Sequence, residues 1–195
     1  MKKFELTTDT KMFLGRKLFR IKALISFGNV KVGDMGGYIE KEENLSQSGD
    51  AWVSGDARVS GNAEVSGNAR VYGDAWVSGN ARVYGDARVY GNAEVSGNTE
   101  VSGDAWVYGN AWVYGDAEVS GDADYATASG FGSEYRTTTF FKLKNSDEIG
   151  VRCGCFYGTL KEFKEKVKET HGESKKAKEY LMLADLMEYK FSEEK

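Results

Sequence analysis

The stretch GDAWVSGDARVSGNAEVSGNARVYGDAWVSGNARVYGDARVYGNAEVSG, residues 49–97, repeats one hexad almost without drift: Gly, Asp or Asn, Ala, a variable residue, Val, then Ser or Tyr. Val stands at 53, 59, 65, 71, 77, 83, 89, 95, 101, 107, 113 and 119, and Ala precedes each by two residues except where Thr99 replaces it. The alternation small-apolar, variable, apolar, polar is the period-2 pattern of a short strand with one face buried. Each Gly-Asp or Gly-Asn pair supplies a corner, because these residue types tolerate the positive φ that other side chains resist. Short strands joined by two-residue corners wind a solenoid in which every rung buries its Val and Ala against the next.

The pairs Val53/Ala57 and Val59/Ala63, and so on down the block, resemble the hexapeptide repeat of left-handed parallel β-helices. That resemblance implies three hexads per triangular coil, hence about four regular coils over residues 49–124. With eighteen residues per coil, outward side chains eighteen apart form three ladders at the strand spacing of about 4.8 Å. Face one stacks Trp52, Arg70, Arg88 and Trp106, with Tyr72, Tyr90 and Tyr108 alongside. Face two stacks Arg58, Trp76, Glu94 and Trp112; face three stacks Glu64, Arg82, Glu100 and Glu118, an acidic and solvated set. Aromatics and Arg dominate interface hot spots, and Arg lies flat on rings as Lys does not. Face one is therefore the candidate contact surface for a second copy of the chain or another partner, with Trp76 and Trp112 as its extension. Its rings can equally serve as cross-strand ladders that stabilise the coils.

The flanks differ in composition. Residues 1–48 read as a β cap: short strands at 3–6 and 17–24, then a degenerate first coil in which Ile39 and Leu45 keep the six-residue step. A cap is required because a solenoid end exposes strand edges and core. Residues 125–195 read as a small α+β module. It comprises a Gly/Ser-rich connection over 125–139, a hairpin of 137–144 with 149–156, and two helices. Thr159 with Glu162 forms a capping box for the first helix, and Gly172 ends it. Ser174 caps the second, whose apolar stripe is Ala177, Tyr180, Leu181, Ala184 and Met187. The fold class expected is mainly β: a left-handed parallel β-helix with an N-terminal β cap and a C-terminal α+β module.

Composition narrows the function. The repeat block holds eight Asp and four Glu against four Arg and no Lys, a net −8, so the flanks carry +4 of the chain's −4. An acidic rod argues against general nucleic-acid binding, which needs a basic stripe. No run of about 18 apolar residues stands in the chain, and MKKFELTTDTK has no apolar core for a secretory signal, so no membrane partner and a cytoplasmic setting are expected. Cys153 and Cys155 are too close for a disulfide framework, in keeping with a reducing compartment. They are placed on one side of a single strand as core thiols.

DMGGYIEKEENLSQSGDAWV at the front, with GSEYRTTTFF, CGCFYGTLKEF and KETHG at the back, resemble segments that accompany this repeat in bacteriophage and prophage proteins of the polymer-forming or transferase-like kind. Acyltransferases of the β-helix class use a coil histidine; here the one histidine, His171, lies outside the coils. No catalytic residue, metal site or cofactor is therefore expected. The segment GFGSEYRTTT is the candidate small-ligand loop, with Ser133, Tyr135, Arg136, Thr137 and Thr138 offering backbone N–H groups, hydroxyls and one guanidinium to an anion. The expected function is a non-catalytic, homo-oligomeric scaffold. In a phage setting it would act in the host cytoplasm, where it binds and neutralises a host defence protein or sequesters a nucleotide-like signal. A divergent acyltransferase and a filament-forming structural protein are the alternatives.

Overall fold

The computed structural model describes residues 1–132 and 134–192. A hairpin of β1 (Phe4–Phe13) and β2 (Arg16–Ala23) is followed by β3 (Met35–Ile39) and then by twelve two-residue strands, from β4 (Trp52–Val53) to β15 (Glu118–Val119). Those twelve pair in parallel with an offset of eighteen, as in Arg58↔Trp76, Arg70↔Arg88 and Glu100↔Glu118. They form the three sides of the rod. Each of the twelve Val is 0 % exposed, so the alternation holds without a slip in register.

Two devices keep the rungs together. The corner glycines from Gly49 to Gly115 sit at φ between +59° and +80°, and backbone bonds such as Asn80 N–H to the Gly97 carbonyl, 2.8 Å, join one corner to the next. Along one corner the side-chain amides also form a ladder: Asn62 to Asn80 at 3.2 Å, Asn80 to Asn98 at 3.0 Å, and Asn98 to Asp116 at 2.9 Å. Asp could not extend such a ladder, since an ionised carboxylate only accepts. Thr99, the one departure from Ala, remains buried because its hydroxyl donates to the Ser96 carbonyl at 2.7 Å.

The rod has about five turns, because the degenerate coil expected at Ile39 and Leu45 is a true coil and precedes the four regular ones. β3 pairs in parallel with the first face-two strand, Ile39 opposite Val59, and Leu45 bridges Val65, both twenty apart. The two extra residues fall between Leu45 and Trp52, and Lys3 secures that segment. Its Nζ donates to the carbonyls of Ala51, Gly49 and Ser48 at 2.9, 3.3 and 3.4 Å, and it lies 5.0 Å from the Phe27 ring centroid. Asn44 is buried and fully satisfied, accepting from Glu40 N and Lys41 N and donating to the Gly61 and Ala63 carbonyls. The β1–β2 hairpin then continues the face-two sheet in antiparallel fashion through β2 and β3. It occupies the strand edge that would otherwise be open.

Burial lowers the Lys3 pKa from 10.5 to about 8, with Asp50 opposing and Arg70 adding to the shift. Between those two values the unfolded chain holds the proton that the folded chain has released, so this group's contribution favours folding increasingly as pH rises from 8 to 10.5. Wild type is therefore expected to gain on Lys3→Met in urea unfolding across that range. A difference between the two that is flat with pH would remove Lys3 from the buried position described.

At the other end the chain forms an antiparallel sheet of β16 (Tyr125–Ala128), β17 (Thr138–Lys142), β18 (Ile149–Cys153) and β19 (Phe156–Thr159). Helices α1 (Leu160–His171) and α2 (Lys175–Phe191) complete the module. β17 joins the two cores by simple alternation: Phe141 belongs to the rod's core and Phe140 to the core under the helices. Thr139 Oγ1 accepts from Trp112 N at 2.9 Å, and the Lys144 amide donates to the Asp116 carbonyl at 2.8 Å. The capping box is present, with Thr159 and Glu162 exchanging bonds, and Ser174 Oγ accepts from Ala177 N.

Two readings of the module need correction. The connection over 125–139 contains a strand, β16, because Tyr125–Ala128 alternates and pairs with β17. Cys153-Gly154-Cys155 is a turn rather than one strand: Gly154, at φ +57°, reverses the chain between β18 and β19. It leaves Cys153 half-buried and Cys155 exposed.

Candidate functional site

The three faces differ in what covers them, and that isolates one surface. On face two, the ring of Phe13 from the hairpin meets Trp76 edge-on at 5.1 Å. The Arg58 guanidinium stacks on Phe13 at 4.4 Å, and Trp76 Nε1 donates to Ser60 Oγ at 3.2 Å. At the far end Arg152 of β18 lies 3.8 Å from the Trp112 ring centroid. Glu94 between them has its carboxyl pK raised by burial, against the pull of Arg152. Trp76 and Trp112 are thus spent on contacts within the chain and do not extend face one. Face three is charged, with Glu100 bonded to Lys144 and accepting from Tyr84 OH at 3.3 Å.

Face one is covered at one end only. Trp52, expected among the contact residues, is 4 % exposed: Phe27 of the cap meets it edge-on at 5.4 Å. Arg70 runs over Gly28, where a Cβ would stand 2.7 Å from Nη2. Beyond them the surface is open. Tyr72 and Tyr90 stack at 4.9 Å with 1° between planes, and Tyr90 and Tyr108 at 5.4 Å with 15°. Arg88 lies 4.6 Å from the Trp106 ring centroid. Trp106 and Tyr108 are 40 % and 51 % exposed. Desolvation pushes the Tyr90 phenol pKa up, and the tyrosines on either side add to the shift. The edge of the surface is fixed from below, since Tyr125 OH donates to the Trp106 carbonyl at 2.6 Å and Asp122 Oδ1 accepts from Trp106 N at 2.9 Å. Of the residues expected on face one, the structure leaves Tyr72, Arg88, Tyr90, Trp106 and Tyr108 together on the open part, a strip of rings with one cation.

The proposed ligand loop does not form as a unit. Tyr135 projects into solvent at φ +51°. Thr137 bonds the Ser129 hydroxyl at 2.7 Å, and Thr138 is buried with its hydroxyl donating to Cys153 Sγ at 3.2 Å. Ser133 lies outside the described residues. Arg136, with Glu134 at 3.8 Å, reaches a cleft of about 280 Å³, which it shares with Cys153, Phe156, Phe163, His171 and Tyr180. His171 stacks on Tyr180 at 5.9 Å, and burial beside Cys153 pushes the Tyr180 phenol up to about 12. Phe163 and Tyr180 were legible as helix core residues. Their meeting with Arg136 was not, because it depends on the turn at Gly154. Among the described residues, no three His, Cys, Asp or Glu side chains are placed to hold a metal.

Three stacked parallel sheets, a hairpin cap and an α+β plug define a β-solenoid protein. Its coils at 63–79, 75–89 and 81–97 are similar to the YdcK β-solenoid repeat, a match that lies within the rod and leaves both flanks outside it. No curated protein matches the chain.

Proposed function

We propose that this chain is a non-catalytic binding scaffold whose face one is the contact surface for another protein. The partner is a second copy of the chain or, in the bacteriophage setting that the flanks resemble, a host protein that binding neutralises. One observation carries the reading: of four rod tryptophans, three are covered by the chain's own cap or module, and Trp106 is left open beside a stacked tyrosine ladder. Rings held rigidly in a sheet lose little entropy on binding, and an Arg stacked on Trp is already oriented. The acyltransferase alternative finds no support, since no coil carries a histidine and His171 is stacked on Tyr180. Among the described residues no helix is long and apolar enough to cross a membrane.

Trp106→Glu combined with Arg88→Glu tests this surface. Both side chains point outward, so the coils should keep their circular dichroism. Light scattering reads self-association, and capture from bacterial lysate reads a foreign partner; the variant is expected to lose one of them. A variant that keeps both the mass and the captured protein of the parent would show that face one is not the contact.

A further inference from the structure

Helix α2 carries a second apolar stripe, opposite the one it buries. Ala177, Tyr180, Leu183, Ala184 and Met187 face the module core. Met182, Leu186 and Tyr189 are 72, 56 and 81 % exposed, and they stand at i, i+4 and i+7, the spacing of one helix face. Single exposed apolar residues are ordinary, but a line of three large ones marks a contact surface.

The charges around the stripe point to the occupant. Glu179 and Lys190 lie along one edge of it, one before Met182 and the other after Tyr189. Beside an antiparallel copy, turned about a two-fold axis near Ala184 and Asp185, Glu179 of each helix meets Lys190 of the other, so one pair is made twice. Within its own chain Glu179 has Lys175 at 3.8 Å, the outer limit of an ion pair. The helix dipole supplies an independent reason. Lys175, Lys176 and Lys178 crowd the first turn, where no acid stands, and cations at a helix N-terminus are unfavourable. An antiparallel neighbour brings its C-terminal carbonyls alongside those lysines.

We propose that two copies of the chain dimerise through the outer face of α2, antiparallel, with Met182, Leu186 and Tyr189 in the seam and reciprocal Glu179–Lys190 pairs at its rim. Lys190 also borders the cleft lined by Tyr108 of face one, so the two surfaces adjoin there and the two backgrounds below tell them apart.

Sedimentation equilibrium tests this on the full chain in two backgrounds, the parent and the Trp106→Glu/Arg88→Glu variant, so that failure of either surface is read separately. Leu186→Glu, and Met182→Lys as a second variant, should abolish the α2-dependent association in both backgrounds with circular dichroism unchanged. Glu179→Lys or Lys190→Glu alone should weaken it roughly fivefold, since each breaks two rim pairs and sets like charges together. The double swap should restore it. Mass unchanged by Leu186→Glu and Met182→Lys in both backgrounds overturns the proposal. So does a double swap that associates no more strongly than the single changes, the result expected if residues 179 and 190 do not face each other across the seam.

Discussion

Val89→Asp is expected to unfold the coils, with a loss of about 4 kcal/mol or more. Val89 is 0 % exposed and pairs with Val71 on one side and Val107 on the other, so an aspartate there would stand among valines and alanines. The backbone groups nearby are already engaged in bonds between coils, such as Tyr90 N–H to the Val107 carbonyl at 3.0 Å, and offer the carboxylate no donor. A buried unpaired charge of this kind costs several kcal/mol. Arg88→Asp, one residue away and facing outward, is expected to cost about 1 kcal/mol, the value of its stacking on Trp106. Urea unfolding followed by circular dichroism reads both. Similar losses at 88 and 89 would contradict the strict in-and-out alternation.

The second large effect concerns how closely the coils approach. Gly97 has φ +80°, and a Cβ there would meet the backbone N and O of Gly115, both at 2.7 Å. Gly109 has φ +70° and nothing within 4 Å of the same position. Both glycines turn a corner, but only one has a further coil stacked on it. Gly109→Ala therefore carries the left-handed backbone strain alone, about 1–2 kcal/mol. Gly97→Ala carries that strain and a collision with backbone that has no rotamer to move, for a total of about 3 kcal/mol or more. Thermal melts of the two variants separate the contributions. Equal shifts would mean that the corners are not stacked at this distance.

The rod was legible because one six-letter pattern dictates both which side chains go in and where the chain turns. Nothing tertiary is needed to see that Val and Ala must line it. The degenerate first coil was legible in the six-residue step from Ile39 to Leu45; what secures the two extra residues after it was not, because that is Lys3, more than forty residues away in sequence. The same holds for the surfaces. Stacking at eighteen correctly grouped Tyr72, Tyr90 and Tyr108, yet the fate of Trp52, Trp76 and Trp112 was decided by Phe27, Phe13 and Arg152, which come from the flanks. A repeat specifies what it presents and leaves the covering to others. In the module, helix caps followed from spacing, and so did the core stripes except that Leu183 rather than Leu181 is the buried leucine of α2. The Gly154 turn did not, because IGVRCGCF reads equally well as an unbroken strand, and the cleft around Arg136 went unseen with it.

The outer stripe of α2 was present in the sequence as plainly as the inner one. Met182, Leu186 and Tyr189 make the helix apolar on two sides. A reading that seeks only the buried face settles on Ala177, Tyr180 and Ala184 and stops. Exposure in the folded module separates the two, and the charges at Glu179 and Lys190 then give the outer stripe a direction.

The register of eighteen underlies every surface assignment, and paired cysteines test it most directly. With Cys153 and Cys155 replaced by Ser, Asn80→Cys/Asn98→Cys places two thiols where the amides now meet at 3.0 Å, within reach of a disulfide between neighbouring parallel strands. Mild oxidation followed by mass spectrometry should show the 80–98 crosslink in nearly every molecule. The control, Asn80→Cys/Asn92→Cys, sets its thiols on different corners and should stay reduced. Crosslinking of 80 with 92 in preference to 98 would contradict a three-sided rod with eighteen residues per turn.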